Sequence, residues 1–269
     1  MLPLPGYIIG EQLHSGNKTR VYRGIAVSNQ KPVIIKIFSS EAPTVAELVQ
    51  FRHQYAIGKN LKLPETVKYL SLEKYGNSLA IVMEDFGGIS LLKYIQNHVK
   101  TPGVPSPGTL VPSTLSTEPG QITNDQGQTT NHQEFGSREY LQIAIQIVRA
   151  LEGISNNRII HKDIKPENIV INPQTLQVKV IDFSISSLLP KENQEIANPN
   201  ILEGTLAYMS PEQTGRMNRG IDYRSDFYSL GVTLYELLTG VLPFQSTDPM
   251  ELVPVSYTHL AGDSQMTLP

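Results

Sequence analysis

Two short runs carry most of the chemistry this sequence can offer. They are His161-Lys162-Asp163-Ile164-Lys165-Pro166-Glu167-Asn168 and, further on, Val180-Ile181-Asp182-Phe183-Ser184. Carboxylate and amide oxygens, as on Asp163, Asn168 and Asp182, are the hard donors that suit a magnesium-type cation. A carboxylate can also take a proton from a hydroxyl, and a lysine beside it can neutralise an anion. Each residue alone has a plainer reading. An aspartate in a polar loop most often caps a turn or meets solvent. A lysine closing an apolar run, as in Val33-Ile34-Ile35-Lys36, is most often a surface charge at a strand end. The argument therefore rests on the set and its order.

That set resembles the protein kinases. The first run is similar to the catalytic loop of that family, and Ile181-Asp182-Phe183-Ser184 to its metal-binding segment. Gly204-Thr205 with Ser210-Pro211-Glu212 resembles the end of the activation segment. Ser225-Asp226-Phe227-Tyr228 resembles the start of the helix that supports the catalytic loop. The resemblance implies an α+β, bilobal fold with a β-rich small lobe and a mainly helical large lobe. It implies ATP and Mg2+ as cofactors and transfer of the γ-phosphate to serine or threonine hydroxyls of a protein substrate. Asp163 would receive the hydroxyl proton, Lys165 would face the moving phosphate, and Asn168 and Asp182 would hold magnesium. Lys36 would meet the nucleotide phosphates, with Gln54 as its helix partner. Gly16 and Val21 would cover the nucleotide, Met83 would stand beside the adenine pocket, and Glu84 and Phe86 would offer hinge backbone.

Several positions depart from the family pattern. Only Gly16 survives in the glycine-rich loop, with His14 and Thr19 where glycines are expected. Gln54 stands where a glutamate normally pairs with the lysine, and a neutral amide gives no charge-assisted pair. Ser184 replaces a glycine, which predicts a restricted backbone there. Lys162 replaces an arginine and loses its bidentate fork. Thr205 is expected to hydrogen-bond near Asp163 and Lys165. Glu212 is expected to lack its arginine partner. No Ser, Thr or Tyr lies between Ser187 and Thr205, so the domain is expected to need no phosphorylation there. These changes keep a second reading open: a pseudokinase, a regulatory ATP-binding module acting by protein contact.

The elements that must position these residues are legible in outline. Tyr7 to Leu13, Arg20 to Val27, Val33 to Phe38, Lys68 to Leu72 and Leu79 to Met83 read as strands. Glu47 to Leu61 reads as a helix with Leu48, Phe51, Tyr55 and Ile57 inward, and Ser90 to Val99 as a shorter one. After residue 137 the pattern turns helical. Glu139 to Ile154 is predicted to bury Leu141, Ile145, Val148 and Leu151, and Asp226 to Leu238 to stop at Gly240. Short strands are expected at Ile169 to Ile171 and Val178 to Ile181. The implied kinase domain spans 7–253, with a small lobe at 7–83, a hinge at 84–88 and a large lobe at 89–253.

Bulk properties narrow the rest. The 269 residues carry a net charge of -3, which argues against a nucleic-acid surface. No apolar run is long enough to span a membrane, the start has no signal-peptide pattern, and absence of cysteine excludes disulfides and thiolate sites. A cytoplasmic location is the expectation. The stretch 100–137, rich in Pro, Gly, Ser, Thr, Gln and Asn, reads as a disordered polar insertion. Met83 to Leu91 and Glu203 to Arg219 resemble cyanobacterial-type signalling proteins that place a kinase domain ahead of ATPase, sensor and histidine-kinase modules. Such downstream regulatory and sensor domains would be partners within a longer protein. Pro254 breaks a helix before the large lobe is complete, and Val255-Ser256-Tyr257-Thr258-His259-Leu260 matches a translated sequencing adapter. Residues 254–269 accordingly read as a non-native tail.

Overall fold

Alternating apolar residues in the first third of the chain build a sheet with two different faces. The computed structural model describes residues 3–98, 136–188, 205–214 and 220–244. Strands β1 (Tyr7–Ser15), β2 (Thr19–Ala26) and β3 (Pro32–Phe38) are followed by helix α1 (Val45–Asn60), then β4 (Tyr69–Tyr75) and β5 (Ser78–Glu84). The five strands form one antiparallel sheet in the order β1-β2-β3-β5-β4. Side chains alternate across it. Val33, Ile35, Ile37, Ala80 and Val82 pack with Tyr22 and Leu4 on one face. Ile34, Ile81 and Met83 point the other way, into the larger core shared with Phe51 and Ile57 of α1. Lys36 lies opposite Val21 on β2 and Ile81 on β5, so its side chain leaves the sheet on the α1 side. Helix α1 starts at a capping box: Thr44 accepts from the Glu47 backbone, and the Glu47 carboxylate accepts from Thr44.

The second lobe is organised around two long helices. Strand β6 (Ile89–Ser90) leads into α2 (Leu91–His98), and α3 (Ser137–Asn156) into β7 (Ile159–Ile160). Strands β8 (Ile169–Ile171), β9 (Val178–Val180) and β10 (Ser187–Leu188) precede α4 (Arg224–Thr239). The short strands pair as β6-β8-β9 and β10-β7. The two lobes meet through backbone: Val67 N–H donates to Val180 C=O, and Val180 N–H donates to Glu65 C=O. That anchors β9, and with it Asp182, against the small lobe. The α+β, two-lobed architecture is the one expected.

One face was misread. Ile143, Ile147, Ala150, Leu151 and Ile154 are the buried stripe of α3, while Leu141, Ile145 and Val148 are about half exposed. Two apolar stripes at helical spacing interleave here and share Leu151, so periodicity alone could not choose between them. The packing partners on β9 and α4 decide it. Gly136, assigned to the polar stretch by composition, is the N-cap of α3, and Ser137 is its first residue. Gly240 ends α4 with a left-handed φ of 75°, a conformation that costs a glycine nothing. The remainder of the polar insertion, residues 189–204, and the tail 254–269 lie outside the described residues.

Candidate active site

The catalytic-loop residues converge because one buried carboxylate fixes the loop that carries them. Asp226, at the start of α4, accepts from the backbone N–H groups of His161 and Lys162, both at 2.8 Å. Burial pushes its carboxyl above the usual range despite those contacts and the nearby His161. His161 is wholly buried. Its Nε2 faces the Ile181 carbonyl at 3.0 Å, and its Nδ1 accepts from Asp163 N–H at 3.3 Å. A carbonyl can only accept, so Nε2 carries the proton and the imidazole links the two chemistry-bearing runs in one tautomer. Lys162 takes a positive φ of 68°, the left-handed region that side-chain-bearing residues seldom adopt.

Asp163 then gathers three partners. Asn168 Nδ2 donates to its carboxylate at 2.7 Å and to its backbone carbonyl at 2.9 Å. The Lys165 ammonium lies 3.0 Å from its Oδ2, and the Thr205 hydroxyl donates to its Oδ1 at 3.3 Å. Lys165 also donates to Thr205 at 2.5 Å. Thr205 thus sits where the sequence placed it. With its amide nitrogen spent on Asp163, Asn168 keeps its carbonyl oxygen for another partner.

The second cluster joins the two lobes. Lys36, buried at the end of its apolar run, donates to Asp182 Oδ2 at 2.9 Å and to Gln54 Oε1 at 3.4 Å. Gln54 Nε2 donates to Asp182 Oδ1 at 2.8 Å and approaches the Tyr69 hydroxyl at 3.3 Å. Burial alone would raise the Asp182 carboxyl. The Lys36 charge and hydrogen bonds from Lys36 and Ser184 outweigh it, so the group lies below the usual carboxylate range. Burial, reinforced by the Asp182 charge, pushes the Tyr69 phenol far upward.

The sequence-predicted residues divide cleanly. Lys36, Gln54, Asp163, Lys165, Asn168 and Asp182 are brought into two contiguous clusters. Val21 faces the same side of the sheet as Lys36, its cross-strand neighbour. Gly16 forms the β1–β2 turn through its N–H to Thr19 C=O at 2.9 Å, with a φ outside the left-handed range. Met83 is a buried β5 residue paired with Ile34. Glu84 still belongs to β5, and its carboxylate meets buried Lys179 at 2.5 Å. The Phe86 carbonyl accepts from Asn172 Nδ2 at 2.8 Å.

One expectation needs correction. The positive φ in the Asp182-Phe183-Ser184 segment falls on Asp182, at 65°, and not on Ser184. A serine therefore costs nothing there, and its N–H donates to Asp182 Oδ1 at 3.2 Å. Glu212 accepts from the Ser225 hydroxyl at 2.6 Å. Sequence reasoning overlooked Tyr69, Gly58 and Lys179. Nothing in their local spacing marks them, because their contacts cross between elements far apart in the chain.

Against this geometry, residues 7–264 match the protein tyrosine and serine/threonine kinase family. The chain belongs to that family. Kinase relatives include the serine/threonine-protein kinase PrkC of Bacillus subtilis, 30% identical over 261 residues, 96% of this chain and 34% of the relative. The serine/threonine-protein kinase pkn2 of Myxococcus xanthus is 29% identical over 241 residues, 88% of this chain and 25% of the relative. The serine/threonine-protein kinase PknB of Mycobacterium tuberculosis reaches 39% over 123 residues, 46% of this chain and 19% of the relative. The chain thus spans about a third or less of these relatives. Among the described residues no helix is long and apolar enough to cross a membrane.

Proposed function

We propose that this chain is the catalytic domain of a bacterial serine/threonine protein kinase, transferring the γ-phosphoryl group of ATP to a protein hydroxyl. One observation carries the reading. Lys36 of the small lobe touches Asp182 of the large lobe at 2.9 Å while Asp163, Lys165, Asn168 and Thr205 are linked as one network. Catalysis of this kind is mostly positioning and charge stabilisation, and the two linked clusters support that reading.

The donor set fits magnesium. The Asn168 oxygen, without a partner among the described residues, and the Asp182 carboxylate are hard donors. That matches an ion that keeps waters and takes phosphate oxygens as further ligands. Asn168 and Asp182 would hold magnesium, which would supply neutralisation of the phosphate charge. Lys36 would orient the phosphates from the small lobe. The Asp163 carboxylate would orient the attacking hydroxyl and take its proton as the new O–P bond forms and the bond to the β-phosphate oxygen breaks, releasing ADP. Lys165 would face the transferred group, with Thr205 holding both side chains at the acceptor's entrance. The hinge segment 84–88 would receive the adenine through its backbone. Serine and threonine acceptors follow from Lys165 in the catalytic loop and from the names of the relatives.

The resemblance to proteins with downstream sensor and ATPase regions supports a place ahead of such regions in a larger signalling protein, and the short share of each relative that this chain spans fits a longer protein. A cytoplasmic site of action fits a supply of ATP. The pseudokinase reading draws on Gln54 and the reduced glycine loop, but every group that the chemistry requires is present and engaged. The deciding experiment is magnesium-dependent γ-phosphate transfer to a generic protein substrate, with Asp163→Ala beside the parent. Loss of transfer by about 100-fold or more in the variant supports an active kinase. A folded protein that binds ATP and transfers nothing overturns it in favour of the pseudokinase.

A further inference from the structure

We propose that Gln54 is a positioning residue whose task is to donate a hydrogen bond to the Asp182 carboxylate, a task that glutamate at this position could not perform. The inference rests on Asp182 acting as a magnesium ligand. The orientation of the Gln54 amide follows from its neighbours. The Lys36 ammonium can only donate and the Asp182 carboxylate can only accept. The amide oxygen therefore turns to Lys36 at 3.4 Å and the nitrogen to Asp182 Oδ1 at 2.8 Å. The shorter contact is the one to Asp182. Lys36 reaches Asp182 Oδ2 directly at 2.9 Å, so each carboxylate oxygen has its own donor from the small lobe.

Two further residues make this arrangement possible. Gly58, one helical turn beyond Gln54, has no side chain, and the Tyr69 ring occupies that space: an added Cβ would lie 2.3 Å from its Cδ2 and Cε2. In that place the ring stands 6.4 Å from Phe183, centroid to centroid, and its hydroxyl lies 3.3 Å from the Gln54 nitrogen. Gln54 and Tyr69 thus form a neutral polar clamp on the Asp182-Phe183 segment, which holds a positive φ at Asp182. Glutamate would keep the acceptor for Lys36 and lose the donor. It would either face Asp182 as a second carboxylate or draw Lys36 away from it.

Gln54→Glu is therefore the discriminating variant, with Gln54→Leu and Tyr69→Phe beside it. The first readout is amide hydrogen exchange of residues 181–184 in nucleotide-free protein. The second is the magnesium concentration for half-maximal transfer, set against KM for ATP. Exchange should quicken by about 10-fold or more in both Gln54 variants, the size of one lost charge-assisted hydrogen bond. Tyr69→Phe, which removes only a hydroxyl, should shift exchange in the same direction by less, and it carries the test if the Gln54 variants do not fold. The magnesium requirement should rise more than KM for ATP. Wild-type exchange and magnesium dependence in Gln54→Glu would overturn the proposal and leave Gln54 as an ordinary partner of Lys36. Asp182→Asn separates the two levels: if it keeps magnesium-dependent transfer, the ligand reading of Asp182 fails. If it is inactive while Gln54→Glu is normal, only the role of Gln54 fails.

Discussion

Gly58→Ala sets two well-understood effects against each other, and the structure decides the sign. In an open helix the change would stabilise by about 1 kcal/mol, because alanine is the better helix former. Here the new Cβ would stand 2.3 Å from Tyr69 Cδ2 and Cε2 and 2.6 Å from Cζ. Ordinary carbon contacts lie near 3.5–4 Å, so the ring would have to retreat by about 1 Å or more. Tyr69 is 3% exposed, with Tyr55 and Phe183 each 6.4 Å away across their ring centroids. Overpacking in such a place costs about 3 kcal/mol, which leaves a net loss of about 2 kcal/mol after the helix gain. That is roughly a 30-fold fall in the folded-to-unfolded ratio, or about 4–8 °C in Tm for a chain of this size. Urea unfolding followed by circular dichroism reads it as a lower midpoint at unchanged slope. In a cycle with Tyr69→Leu, the double variant should lose less than the sum of the singles, with a coupling of about 1 kcal/mol or more. A midpoint equal to or above the parent's would refute the steric argument and return the position to simple helix propensity.

Asp226→Asn should destabilise by about 2–3 kcal/mol in the same assay. Its NH2 would confront one of the two backbone amides that the carboxylate now accepts, leaving a buried N–H unpaired; an unchanged midpoint would exclude that role. A pH prediction follows from Asp182, whose carboxyl is lowered in the fold, against an ordinary value of about 3.9. Its contribution to stability is present above that unfolded value and lost as pH falls through the folded one. Wild type should therefore exceed Asp182→Asn in stability at neutral pH, with the gap closing below about pH 4. A gap that widens under acid would reverse the assignment.

How much of this was readable in the sequence depends on whether a contact is local. The catalytic-loop residues lie within one short segment whose spacing is set by a single backbone path, so Asp163, Lys165 and Asn168 could be identified together. Asp182 follows at the end of the next strand pair, and Thr205 was placed from its role beside them. The strands were visible because alternation across a half-buried sheet leaves a clear period-two trace. The buried face of α3 was not, since two apolar stripes of the same period compete and only contacts with β9 and α4 separate them. Ser184 was misjudged for a related reason. A family pattern says which residue usually stands at a position, but the local φ decides whether a replacement there is strained.

Gln54, Gly58 and Tyr69 show what a residue-by-residue comparison with a family leaves out. Taken singly, Gln54 is a lost charge, Gly58 a weak point in a helix and Tyr69 an aromatic residue on a strand. Together they fill one space and satisfy one set of hydrogen bonds: no side chain at 58 admits the ring at 69, whose hydroxyl meets the amide at 54, which holds the carboxylate at 182. A glutamate introduced alone would gain a charge toward Lys36 and lose the donor toward Asp182. Restoring the usual residue is thus expected to loosen the site it would complete in another kinase, because its neighbours here are arranged for an amide.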